Sequence, residues 1–172
     1  MIIVSFIITA NLIAEDSNTA VDTDYIGKSF DLTFTDLLSG RIISTIGTSD
    51  TSNAFNTGSE RIGTLIVFWS INCGPCIREI PDLNSLYAQW HLKGLEIIGI
   101  LQDERPEQVI SLCNRFRIVW PQFMESGPPF KKPTTAEWHI SHTPDFILLD
   151  SDGRVIDYGF FNPIEAVERH FG

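Results

Sequence analysis

The sequence predicts an α/β fold in which a central mixed β-sheet is flanked by helices, and three observations support this prediction. The chain has 172 residues, a length that suits one domain with modest extensions. A continuous apolar run at residues 65–69 and a mainly apolar segment at 95–101 are typical of strands that are buried on both faces of a sheet. A segment with helical periodicity follows each run, and such alternation of strands and helices is characteristic of α/β domains.

The N-terminal segment, residues 1–14, is apolar and contains no charged side chain. A helix needs about 20 apolar residues to cross a bilayer, so this segment is too short and instead suits the apolar region of a secretory signal. A buried first strand is the alternative, because Ile, Val and Phe favour β structure. We expect a signal sequence or a membrane-proximal apolar segment at 1–14, a polar tether at 15–26 and the folded domain at 27–172.

An N-terminal β-hairpin is predicted to open the domain. Phe30, Leu32 and Phe34 alternate with polar residues, which is the two-residue period of a strand. A Ser-Gly turn follows, and residues 41–45 suit the returning strand. Residues 44–61 are rich in Ser, Thr, Asn and Gly, so they are predicted to form a loop before the first buried strand.

Two amphipathic helices are predicted from apolar positions that recur every three or four residues. The first spans residues 75–91 and contains Pro81, which is expected to kink it. The second spans residues 106–116 and has proline in its first turn, where the missing N–H is not needed. Residues 121–133 are rich in Pro and Gly and are predicted to be a loop.

The C-terminal part of the chain predicts a second hairpin and a closing helix. A short helical turn is expected at 135–140, before a strand at 145–149. Asp, Ser and Gly at 150–153 favour a turn, and residues 154–160 suit the paired strand. A helix at 163–170, with proline at its start, is expected to end the fold.

The motif that carries chemistry is Cys73-Gly74-Pro75-Cys76, which stands where a buried strand is followed by a helix. The N–H groups and positive partial charge of a helix N-terminus stabilise a thiolate, which is the nucleophilic form of cysteine. One helical turn brings the two sulfur atoms within disulfide reach. Cys73 is therefore predicted to attack a disulfide and Cys76 to resolve the resulting mixed disulfide. Half of a zinc site and a pair of structural thiols are the alternatives.

A family resemblance is carried by this motif and its surroundings. Residues 69–76 with Pro81 resemble the active-site segment of the thioredoxin superfamily. Residues 27–40, and the C-x-x-E-x-P pattern at 76–81, are similar to TlpA/ResA-like proteins, as is a Thr-Pro pair before the strand at 145–149. The resemblance covers about residues 27 to 171. It implies a thioredoxin fold with an N-terminal β-hairpin extension.

The same resemblance implies a function and its partners. Members of this family are thiol-disulfide oxidoreductases, usually outside the cytoplasm, and many reduce the disulfides of particular partner proteins, as in cytochrome c maturation. The expectation is a periplasmic or secreted reductase, monomeric, with protein disulfides as substrates and an upstream redox donor, and with no cofactor. A redox-inactive binding or scaffold domain is the alternative. It is motivated by Val67 and Asn72, which stand where thioredoxin has a buried acid and a tryptophan.

Glu79 is the residue that the resemblance implies as a replacement acid. It lies three positions after Cys76 and so shares its helix face. A carboxylate there could take the proton of Cys76 during resolution, if burial suits its pKa to that role. An exposed helix glutamate without a role is the alternative.

Substrate contacts are implied for the residues that surround the cysteine pair. In the superfamily, a cis proline places the preceding backbone beside the cysteines, where it can pair with an extended substrate chain, and Thr143-Pro144 matches that position. An ordinary trans turn is the alternative. Trp69, Gly74 and Pro75 are expected to share this contact with the substrate.

The net charge and the remaining cysteine and histidine residues argue against nucleic-acid binding, membrane-surface binding and a metal site. Twelve Lys and Arg against 22 Asp and Glu give a net charge of −10, which argues against nucleic acid and against an anionic membrane surface as partners. A metal site of the cysteine pair with His139 and His142 is disfavoured, because zinc-binding histidines typically have three to five residues between them and this pair has two. Cys113 is predicted to be buried and unreactive, because its helix neighbours are apolar.

Overall fold

A computed structural model describes residues 23–46 and 60–172, and it contains seven strands and four α-helices within those ranges. The strands are β1 (Thr33–Thr35), β2 (Ile42–Ser44), β3 (Gly63–Trp69), β4 (Leu95–Leu101), β5 (Gln122–Met124), β6 (Asp145–Asp150) and β7 (Val155–Tyr158). The helices are α1 (Gly74–Trp90), α2 (Pro106–Phe116), α3 (Pro133–Glu137) and α4 (Pro163–Phe171), with short 3-10 helices at Thr23–Tyr25 and His91–Lys93.

The central sheet has five strands in the order β5-β4-β3-β6-β7. Strand β3 is parallel to β4, and β4 is parallel to β5. Strand β6 runs antiparallel to β3 on one side and to β7 on the other. The predicted mixed sheet is confirmed, and β1 and β2 form the predicted N-terminal hairpin as a separate antiparallel pair.

Strand β3 lies between two apolar layers, one on each face of the sheet. Leu65, Val67 and Trp69 belong to the layer that also contains the buried residues of α1 and α4. Ile66 and Phe68 point the other way, into the layer formed with the N-terminal hairpin and the aromatic residues near α3. Every residue of β3 and β4 is buried, which explains why both strands are mainly apolar and do not alternate between apolar and polar residues. The end of β3 is consequently held in a rigid position, and the cysteine motif follows directly.

The structure differs from the predicted loop at residues 121–133, because that segment contains β5 and the beginning of α3. Strand β5 is only three residues long and pairs with the C-terminal end of β4. Its apolar pattern is too short to detect among the surrounding prolines. Helix α3 covers residues 133–137 rather than the expected 135–140. Helix α1 contains Pro81, as the predicted span of 75–91 does.

Some expectations concern parts of the chain that lie outside the described residues. These are the signal or membrane-proximal segment at 1–14, most of the tether at 15–26, and most of the loop at 44–61. In the portion that the structure describes, no helix has both the length and the apolarity required to cross a membrane.

Candidate active site

Cys73 and Cys76 form a disulfide at the N-terminus of α1, with their Cα atoms 5.2 Å apart. Strand β3 ends at Trp69, three residues form a tight turn, and Cys73 then caps the helix with extended backbone angles. The Cys76 N–H donates to Cys73 Sγ at 3.1 Å, so the first sulfur already sits at the helix end that favours negative charge. Cys73 is half-buried, whereas Cys76 is only 3% exposed. An incoming disulfide can therefore reach Cys73 but not Cys76.

Gly74 and Pro75 are exposed at the beginning of α1, beside the accessible cysteine. Proline fits this first turn because its missing N–H is not needed for the helix. A side chain at Gly74 would meet only the end of the flexible Arg78 side chain, at 3.7 Å. No bulky side chain at Gly74 or Pro75 therefore blocks the approach of a polypeptide to Cys73.

The Thr143–Pro144 peptide bond is cis, and the carbonyl oxygen of Thr143 lies 3.4 Å from Cys73 Sγ. The sheet register explains this proximity: β6 is antiparallel to β3, so Asp145 at the start of β6 pairs with Phe68 near the end of β3. Thr143 and Pro144 are both half-buried. The sequence-predicted pairing of this loop with the cysteine motif is thus present in the structure.

Glu79 lies beside Cys76 in a narrow, mainly apolar cavity under the disulfide. The other residues that line this cavity are Val67, Trp69, Cys76, Ile80, Leu83, Trp120 and Pro144. The Glu79 side chain is half-buried, and it has no hydrogen bond or ion pair with any residue that the structure describes. Glu79 and Cys76 thus line the same cavity.

Trp69 requires a correction, because it is 1% exposed and cannot contact a substrate directly. The alternation of β3 turns its ring towards α1, where it forms a wall of the cavity under the disulfide. Its Nε1 donates to Gln122 Oε1 at 2.9 Å, inside the core. Trp69 therefore packs in the core beneath the disulfide and does not form part of the exposed surface.

Asp103, which the sequence analysis did not single out, fixes the turn before Cys73. Its carboxylate accepts from Ser70 Oγ at 3.2 Å and from the Ile71 N–H at 3.0 Å. Asp103 follows β4, at the carboxyl edge of the parallel strands, where sites in α/β proteins commonly lie. That position was the available signal for its role.

The remaining candidate groups do not form a metal site among the described residues. His139 Nδ1 lies 2.7 Å from the Tyr25 hydroxyl, and His142 Nδ1 lies 3.9 Å from the Asp145 carboxylate. Burial raises the pKa of Asp145, next to the cis proline. Cys113 is fully buried, and burial raises the pKa of its thiol to about 12, which agrees with the prediction of an unreactive residue.

Comparisons with known proteins agree with this geometry. A family model described as Thioredoxin-like matches residues 63–155. The thiol-disulfide oxidoreductase ResA of Bacillus thuringiensis (strain Al Hakam) is 30% identical over 95 residues, which are 55% of this chain and 53% of that protein. ResA of Geobacillus kaustophilus is 28% identical over 110 residues, or 63% of this chain and 60% of that protein. The matches thus span between half and two thirds of these relatives.

Solved structures show the same fold. The thioredoxin domain of a thiol-disulfide oxidoreductase from Bacteroides vulgatus has a TM-score of 0.67 at 22% identity, and covers 86% of this chain and 98% of that one. A thiol-disulfide oxidoreductase from Bacteroides fragilis has a TM-score of 0.66 at 18% identity, and covers 83% of this chain and 98% of that one. The expected thioredoxin fold is confirmed by these similarities.

Proposed function

Because the chain belongs to the thioredoxin-like family, we propose that it is a thiol-disulfide oxidoreductase that exchanges its Cys73–Cys76 pair with protein disulfides. The observation that carries the proposal is the position of Cys73. Its sulfur is accessible, caps the N-terminus of α1, and lies 3.4 Å from the carbonyl oxygen of Thr143. A sulfur in that setting has both the electrostatic stabilisation and the access that a nucleophile needs.

The proposed reaction begins with the reduced pair. The Cys73 thiolate attacks one sulfur of the partner disulfide, forms a new S–S bond, and releases the other partner sulfur as a thiolate. Cys76, once deprotonated, then attacks Cys73 Sγ, which breaks the mixed disulfide and releases the second partner thiolate. The partner gains two electrons and two protons, and the chain returns to the disulfide form seen in the structure. An upstream dithiol must reduce it again.

Glu79 is proposed to accept the proton of Cys76 before the second step. This role is supported by its place in the cavity under the disulfide, where Cys76 is also a lining residue. Buried Cys76 has no route to bulk water for its proton, whereas the half-buried Glu79 connects the cavity with the surface. Proton transfer by a positioned side chain typically contributes 100-fold or more, about 10²–10⁴.

An extended segment of the partner is proposed to lie across the exposed surface of Gly74 and Pro75 and against the Thr143–Pro144 backbone. The proximity of the Thr143 carbonyl to Cys73 supports this arrangement, since a main-chain N–H of the partner could bond to it while the sulfur atoms react. The substrate is thus a polypeptide cystine.

The setting that we propose for this activity is extracytoplasmic, with residues 1–14 as a signal sequence or membrane-proximal segment. The chain would act as a monomeric reductase of the cytochrome c maturation type, without a cofactor. The apolar residues 1–14 and the resemblance of the cysteine-motif segment to TlpA/ResA-like proteins support this setting. Trapping mixed disulfides with a Cys76→Ser variant in the native host, followed by mass spectrometry, identifies the partner.

The activity itself is tested by the reduction of insulin disulfides with dithiothreitol as the electron source. The wild-type protein is expected to accelerate the reaction, and Cys73→Ser to abolish the acceleration. Cys113→Ser is the matched control, because it removes the buried thiol and leaves the pair intact. Equal rates for wild type and Cys73→Ser would contradict the proposal and favour the scaffold alternative.

A further inference from the structure

A cleft of about 440 Å³ opens directly beside Cys73 and Thr143. One wall is the segment 102–105, which follows β4, and the other wall contains Pro129 and Phe130. The second wall belongs to the chain between β5 and α3. A partner chain held at Cys73 therefore has this cleft within reach of its neighbouring side chains.

Two connections hold the walls of the cleft in place. Lys132 is fully buried, and its Nζ donates to the carbonyl oxygens of Leu101 at 2.9 Å and Asp103 at 2.8 Å. The Phe130 N–H donates to Gln102 Oε1 at 3.0 Å. Hydrogen bonds made by a buried ammonium group are among the stronger ones in proteins, so the cleft is formed before any partner arrives.

Phe130 stands at the rim of the cleft in an unusual conformation. Its φ angle is 56°, in a region of backbone conformation that bulky residues rarely adopt. Such a conformation persists only when its surroundings enforce it, and the bond to Gln102 is one such constraint. The result is an aromatic residue that is 40% exposed beside the cysteine that meets the substrate.

Gln102 contributes a second feature to the same wall. It is 2% exposed, and its Nε2 has no hydrogen-bond partner among the described residues. Among the charged residues of this wall, the Asp103 carboxylate already accepts from Ser70 and Ile71, and Glu104 and Arg105 carry opposite charges. An apolar contact with the Phe130 ring is therefore the main interaction that the cleft offers to a partner.

We propose that this cleft selects partner segments that carry a bulky apolar side chain next to the reacting cysteine, with Phe130 as the specificity-determining contact and Gln102 as its positioning residue. The inference rests on the proposed function, because the contact acts while Cys73 Sγ bonds to the partner sulfur and the second partner sulfur leaves. Exposed aromatic residues in preformed sites are frequent anchors of such recognition.

The test uses reduced full-length protein and two disulfide-linked peptides, identical except that Phe or Gly flanks the cysteine on both sides. Wild type is expected to react with the Phe peptide about tenfold faster, as one apolar contact typically gives. Phe130→Asn removes the ring, and asparagine tolerates a positive φ. Gln102→Leu removes the hydrogen bond that holds the Phe130 N–H. Both variants should lose most of the preference for the Phe peptide. Phe130→Trp should retain it.

Three controls separate the possible outcomes. Val119→Ala removes an exposed apolar side chain that does not line the cleft and should behave as wild type. Phe161→Ala tests the second cavity, on the other side of Pro144; loss of the preference in that variant alone would overturn the inference. A preference that survives in Phe130→Asn, or that is absent in wild type, would overturn it as well.

Hydroxyethyl disulfide is the reference substrate, because it has no apolar side chain for the ring to contact. Val119→Ala is expected to exchange with it at the wild-type rate, and the ratio of the Phe-peptide rate to the hydroxyethyl disulfide rate should fall in Phe130→Asn and Gln102→Leu. If wild type itself does not exchange with hydroxyethyl disulfide, the proposed function fails, and the inference fails with it.

Discussion

The two active-site cysteines differ in exposure, although they are one helical turn apart. Cys73 is half-buried at the helix N-terminus, and Cys76 is 3% exposed inside the first turn. After reduction, iodoacetamide should therefore modify Cys73 at least about tenfold faster than Cys76. Mass spectrometry of peptides from a timed reaction measures both rates. Faster modification of Cys76 would mean that the assigned order of attack and resolution is wrong.

Glu79 gives a second prediction at the scale of single residues. Glu79→Gln keeps the shape of the side chain but removes the proton acceptor, so resolution of the mixed disulfide should slow about 100-fold, while attack by Cys73 is retained. Stopped-flow measurement of both steps against pH tests this, because a loss of base also flattens the pH profile of resolution. Glu107→Gln, in the exposed first turn of α2, is the matched control. An unchanged resolution rate would leave Glu79 without this role.

The sequence predicted the roles of some site residues but not of others. The cysteine pair follows from the motif, and Glu79 follows from its spacing on a helix. Trp69 was misassigned, because a motif does not reveal which face of a strand is covered. Gln102 and Phe130 were not detectable, since their relation depends on one hydrogen bond between segments 28 residues apart.

Strand β4 carries a buried carboxyl group whose protonation makes the free energy of unfolding depend on pH. Glu96 is 1% exposed, and burial raises its pKa to about 8 from an ordinary 4.5. Burial also lowers the pKa of His91, whose Nδ1 lies 3.6 Å from the carboxylate. At neutral pH both groups are mainly uncharged, so this contact is a neutral one rather than an ion pair.

A pH dependence of folding follows from this strand. Between about pH 4.5 and pH 8, folded Glu96 holds a proton that the unfolded chain has released, so the free energy of unfolding falls as pH rises. Glu96→Gln removes this contribution, and its free energy of unfolding should decrease less over that range. Urea unfolding at both ends of the range measures the difference, with exposed Glu137→Gln as the control. Parallel pH profiles for wild type and Glu96→Gln would contradict the assignment.

Elements were predictable to the extent that they bury a continuous apolar surface. Strands β3 and β4 are mainly apolar because both faces are covered, and α1 shows its buried face at every third or fourth residue. Strand β5 has three residues and depends on pairing with β4 rather than on its own pattern. Its place at the sheet edge comes from tertiary contacts, which local periodicity does not contain.

At the scale of the whole molecule, Cys113 is enclosed in the layer between the sheet and its helices. Its thiol is inaccessible in the folded chain, and burial raises its pKa to about 12. Alkylation of Cys113 should therefore follow global unfolding, and its urea dependence should coincide with the loss of secondary structure measured by circular dichroism. A Cys73→Ser/Cys76→Ser background removes competing thiols. Modification of Cys113 well below the unfolding transition would show local opening instead.

The burial of Cys113 also limits which non-native disulfides the chain can form. Three cysteines permit three different single cross-links, of which two would join Cys113 to a residue of the active pair. The native packing makes both of these unreachable, so every oxidising event in the folded protein is directed to the same bond. Electrons thus enter and leave the folded protein only at the Cys73–Cys76 pair. A disulfide that contains Cys113 would therefore show that the molecule had unfolded before it was oxidised.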